Sequence, residues 1–89
     1  MSDQETRRAH LGDWIKVTGM SPGNERFDDA FHLVSDHEAD RAEHDVAMSS
    51  ILGEALRGTK VGDQVILDTK AGPMKLTVLK LGPTRGDIL

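Results

Sequence analysis

Only one stretch of this 89-residue chain spaces its apolar residues as a helix does. Ile51, Leu52, Ala55 and Leu56 fall at i, i+1, i+4 and i+5 and so share one face. Ser49 and Ser50 stand before it, and a serine there supplies the N-cap. Gly58 follows as a left-handed stop, and Arg57 occupies the last turn, where a cation suits the helix dipole. A chain with one short helix has to build the rest of its core from strands, and the remaining apolar runs read that way.

The first run, Trp14 to Thr18, alternates Ile15 and Val17 with Lys16 and Thr18. The turn formers from Gly19 to Asn24 are expected to end it. A second strand is expected over Ala30 to Ser35, antiparallel to the first. His37 to Asp45 is polar except for Ala39 and Ala42, and reads as a surface loop. Gln64 to Thr69 and Lys75 to Leu81 form a further pair, joined by a hairpin loop over Lys70 to Met74. In the last run Leu76, Val78, Leu79 and Leu81 change parity after Val78, which means either a bulge or a strand covered on both faces. The expected fold class is therefore α+β, with about four to five strands and one short helix. Residues 1–12 read as a flexible lead-in, 13–82 as the domain and 83–89 as a C-terminal tail.

Composition removes several functions. The chain has no cysteine, which excludes disulfides, thiolate metal sites and a cysteine nucleophile. Trp14, Phe27 and Phe31 are its only aromatic residues. So few rings cannot build a base-stacking platform, and Trp14, at the head of an apolar strand, is expected to anchor the core. No apolar run approaches the length of a membrane span, and Met1 to His10 lacks the apolar core of a secretory signal, so a cytoplasmic location is expected.

Charge is segregated along the chain. Residues 24–45 hold eight acids against two bases, whereas residues 57–89 hold six bases against three acids. The acidic stretch would repel a phosphate backbone, so no direct nucleic-acid partner is expected, whereas a basic protein surface suits it.

The densest set of ligand-type side chains is His32, Asp36, His37, Glu38, Asp40, Glu43 and His44. None of the close histidine pairings of common metal motifs occurs there, and a solvated acidic loop explains the set better than a metal site. Ser49 and Ser50 lack the glycine-flanked context of a nucleophile, and a capping role accounts for at least one of them. The single glycines at 58, 62 and 72 form no phosphate-binding loop. No catalytic residue, metal or cofactor is assigned.

From Glu38 onward a series of short motifs recurs in one collinear order: Glu38-Ala39-Asp40, the run Val46 to Leu56, Gly58-x-Lys60-Val61-Gly62-Asp63-x-Val65, and Thr69-x-Ala71-Gly72. In these the chain resembles the C-terminal domain of the bacterial transcript-cleavage factors GreA and GreB. The resemblance implies an FKBP-like fold, a curved antiparallel sheet wrapped around a short helix. It also implies a partner, RNA polymerase, bound at the coiled-coil on the rim of its secondary channel. The loop entering the helix belongs to that family's docking surface, which places Ser49, Ser50, Ile51 and Leu52 at the candidate interface. The family commonly has Ser-Pro where this chain has Ser50-Ile51, and Ile-Ser where it has Val46-Ala47.

Gre factors reach the polymerase active site with the acidic tip of an N-terminal helical hairpin, and the ten polar residues at the start of this chain are no substitute for it. The expected function is thus a non-enzymatic regulator that binds polymerase near the secondary channel without stimulating cleavage. Its alternative is an interaction module of Gre-like fold that no longer binds polymerase and uses Ile51 as its anchor. An isomerase or a metal-dependent hydrolase built on the histidine-acid segment is the third and weakest reading. Prolyl isomerase activity does not follow from an FKBP-like fold, because three aromatic residues cannot line its pocket.

Overall fold

The computed structural model describes residues 7–39 and 44–89. Along the chain run β1 (Trp14–Met20), β2 (Arg26–Val34), β3 (Asp45–Ala47), α1 (Ile51–Leu56), β4 (Gln64–Thr69), β5 (Gly72–Gly82) and a 3-10 turn (Arg85–Ile88). The strands form one curled sheet in the order β3-β2-β1-β5-β4, with α1 as the single short α-helix. This is the α+β architecture expected from the sequence.

One face of the sheet makes the core. Ile15 and Val17 of β1, Leu76, Val78 and Leu81 of β5, and Leu33 of β2 are all essentially inaccessible, and Leu56 of α1 packs among them. Alternation along β1 sends Trp14, Lys16, Thr18 and Met20 to the opposite, outer face. Trp14 is therefore not the core anchor that was expected. It lies half-buried on the outer face, stacked on His32 with ring centroids 4.4 Å apart, with the Arg85 guanidinium 5.6 Å from its centre.

Four differences from the expected elements have physical causes. First, β1 continues through Gly19 to Met20. Gly19 lacks a side chain on the core face, and the Phe27 ring of β2 occupies that space beside Leu76. Second, β2 begins at Arg26 rather than Ala30, because its polar residues stay exposed while Phe27 and Phe31 pack against the core.

Third, the sheet is mixed. Asp45–Ala47 joins β2 in parallel, starting at the last residue of the segment expected to be a surface loop. His32 N–H donates to the His44 carbonyl at 2.8 Å, the His44 ring nitrogen meets the Ala30 carbonyl at 3.0 Å, and His32 Nδ1 lies 3.4 Å from the Asp45 carboxylate. Asp40 and Glu43 lie outside the described residues. Fourth, the β4–β5 turn is only Lys70 and Ala71, since Thr69 already pairs with Gly72. Gly72 takes φ 124°, and the Thr69 hydroxyl donates to its carbonyl at 2.6 Å.

The parity change in β5 is a bulge. Lys16 pairs with Lys80 but Val17 pairs with Val78, so Leu79 has no partner and is 39% exposed.

Part of the expected lead-in, residues 1–6, lies outside the described residues. Beyond it, Ala9 is buried in the core cluster, and its backbone exchanges hydrogen bonds with the turn after α1, at 2.7 Å to Thr59 and 2.8 Å from Gly58. Arg7 reaches the buried Asp13 carboxylate at 2.5 Å. In the expected tail, Ile88 is buried and Asp87 accepts from the Thr84 N–H and hydroxyl, closing the 3-10 turn.

Candidate functional site

The loop from Ala47 to Ile51 links β3 to α1, and its shape follows from two serines with different jobs. Ser50 is the N-cap: its hydroxyl oxygen accepts from the Gly53 N–H at 3.0 Å and its O–H donates to the Ala47 carbonyl at 2.7 Å. Ser49 points outward and donates to the Asp36 carboxylate, whose two oxygens both lie 2.8 Å from it. Asp36 follows the end of β2, so the loop is tied at its base to the cap and at its crest to a second segment.

The four candidate interface residues separate accordingly. Ile51 is 76% exposed, a large apolar side chain at the mouth of the helix with nothing packed over it. Ser49 is exposed as well. Ser50 is half-buried and committed to the cap, while Leu52 turns toward the core cluster and packs against it. A partner approaching this loop would meet Ile51 and Ser49 first.

Beside the loop lies an open groove of about 440 Å³, bordered by Leu11, Asp36, His37, Met48, Glu54 and Arg57. Leu11 is 52% exposed and adds a second apolar contact point. None of these six was legible as part of the site from the sequence. The groove joins residues from the N-terminal segment, the end of β2 and α1, and no local motif links them.

Several described members of the histidine-acid set are engaged with other partners. His32 is engaged with Trp14 and Asp45, His44 with the Ala30 carbonyl, and Asp36 with Ser49. Among the described residues no group of three or more such side chains is placed to share a metal ion, and no helix is long and apolar enough to cross a membrane.

Comparison with known proteins bears on this fold. A family model described as "Transcription elongation factor, GreA/GreB, C-term" matches residues 4–83. The chain is 28% identical over 75 residues to transcription elongation factor GreA of Thermosipho africanus, covering 84% of this chain and 46% of that protein. It thus spans about half the length of the curated relatives it matches. Among solved structures, Gfh1 of Thermus aquaticus superimposes with a TM-score of 0.65 at 31% identity, over 81% of this chain and 46% of that one. The GreA factor homolog Gfh1 of Thermus thermophilus gives 0.66 at 26% identity, over 92% and 53%.

Proposed function

The chain belongs to the GreA/GreB transcription elongation factor family, through that family's C-terminal domain, and on that premise we propose that it is a transcription regulator which binds RNA polymerase near the secondary channel, stimulates no transcript cleavage and is not itself an enzyme. The proposed partner surface is the coiled-coil at the channel rim, and the proposed contact is the loop of Ser49, Ser50, Ile51 and Leu52. A cytoplasmic location accompanies that partner.

The observation that carries the proposal is Ile51. It stands 76% exposed at the entrance of a helix whose preceding loop is already fixed by the Ser50 cap and the Ser49–Asp36 contact. An apolar side chain held out on a pre-ordered loop binds without a large ordering cost, which is how a small interface reaches useful affinity. The same exposed Ile51 is also compatible with a second reading, in which the loop anchors a protein other than polymerase.

Binding of the purified chain to core RNA polymerase, with GreA as competitor, tests both. Competition is expected, with affinity reduced at least about tenfold by Ile51→Asp. Binding that GreA does not displace, or that Ile51→Asp leaves intact, would move the interface off this loop. No binding at micromolar polymerase would leave the second reading.

A further inference from the structure

On the outer face of the sheet, opposite α1, two recesses adjoin. The first, of about 200 Å³, is lined by Thr18, Met20, Arg26, Gln64, Lys75 and Thr77. All six lie on one face, because Thr18 pairs with Thr77, Met20 with both Arg26 and Lys75, and Gln64 with Thr77. The second, of about 290 Å³, shares Met20 and Lys75 and continues over Pro22, Ile66 and Pro73.

These halves differ in chemistry. The first offers two cations, an amide and two hydroxyls, and none of its residues is acidic. Among the described residues no carboxylate lies within ion-pair distance of Arg26 or Lys75. The second half is apolar, with Ile66 67% and Met20 41% exposed, among the few large hydrophobic side chains left in solvent. Unpaired cations beside uncovered apolar side chains are complementary to one kind of ligand, an anionic group next to an aliphatic one.

We propose that this outer-face groove binds a short acidic peptide segment of a partner protein, its carboxylates on Arg26 and Lys75 and one aliphatic side chain between Met20, Ile66 and Pro73. A nucleic-acid strand fits less well, for three reasons. It has no aliphatic group for the apolar half. The only tryptophan already has His32 against one side of its ring system and Arg85 near it, so it presents no open platform for a base. Asp28 on β2 stands opposite Thr18 and Asp68 on β4 opposite Pro73, so a long polyanion laid across the sheet would meet a carboxylate on each flanking strand, whereas a short acidic segment fits between them. Because the groove and the Ile51 loop lie on opposite sides of the sheet, both can be occupied at once.

The test is amide chemical-shift mapping of the full chain with a synthetic peptide in which glutamates flank one leucine. Three comparisons accompany it: the same peptide with serine for leucine, a uridine oligonucleotide, and the double variant Arg26→Glu with Lys75→Glu. Saturable shifts at Thr18, Met20, Ile66, Lys75 and Thr77, weakened about tenfold by the double variant and weakened by loss of the leucine, support the groove. Ile66→Ser should weaken binding independently and leaves both cations in place. Absence of shifts at millimolar peptide, shifts centred on Ser49 to Leu52, undiminished binding by the variants, or tighter binding of the oligonucleotide would each overturn it. No polymerase is present in this experiment, so its failure would leave the Ile51 docking loop as it stands.

Discussion

Gly53 faces the Ala47 carbonyl so closely that a side chain at 53 would overlap the Ala47 oxygen and the Met48 backbone. This contact seats α1 against the end of β3. In an isolated helix Ala would be favoured over Gly by about 1 kcal/mol. Here the obstacle is backbone, which cannot rotate away as a side chain would, so overpacking of about 1–3 kcal/mol should prevail. Gly53→Ala is expected to lower the urea midpoint with the slope unchanged. A raised midpoint would show that α1 can shift outward without penalty.

Leu56 measures how much of the core depends on a helix of only six residues. It is fully buried between the sheet and α1. Leu56→Ala should cost about 2–5 kcal/mol in chemical unfolding, a large share of the stability available to a domain this small. A loss below about 0.5 kcal/mol would be that of a surface position.

How much of this was legible in the sequence depended on the range of the interactions. The helix was readable because Ile51, Leu52, Ala55 and Leu56 repeat within two turns and Ser50 caps them locally. The bulge was half-readable, as a parity change at Leu79 whose cause only the β1 pairing reveals. Trp14 was misplaced although the alternation of Ile15 and Val17 already put it on the other face; its aromatic character outweighed its parity. β3 was missed because three residues at the end of a polar segment are too few to show a periodicity, and the strand is docked through contacts of His32 and His44 with β2 and Asp45. The site divided in the same way. Its loop came from short motifs, whereas Asp36 and Leu11 reach it only through the fold.

Asp13 offers a test of the N-terminal segment. Its carboxylate is 1% exposed and is met by Arg7 and by the His10 N–H. Arg7→Ala would leave a buried carboxylate short of its cation, at a cost of about 1–3 kcal/mol given the partial exposure of Arg7. The segment from Arg7 to His10 should become susceptible to proteolysis at the same time. An unaltered unfolding midpoint would mean that the Arg7–Asp13 contact contributes nothing to the domain's stability.

The Ser49–Asp36 contact separates loop order from overall stability. Both residues are exposed, so Asp36→Ala should change the unfolding free energy by no more than about 0.5 kcal/mol. Ile51 itself is untouched by the substitution, and so is the Ser50 cap that holds α1. What the carboxylate supplies is a fixed crest for the loop, and losing it adds an ordering cost to any encounter through Ile51. Affinity for core polymerase should therefore fall about three- to tenfold, mostly through faster dissociation. Asp36→Asn, which keeps an acceptor oxygen for the Ser49 hydroxyl, should recover part of the loss. Equal losses for Ala and Asn would mean that the charge of Asp36 meets the partner directly, and no loss for either would mean that the partner orders the loop by itself.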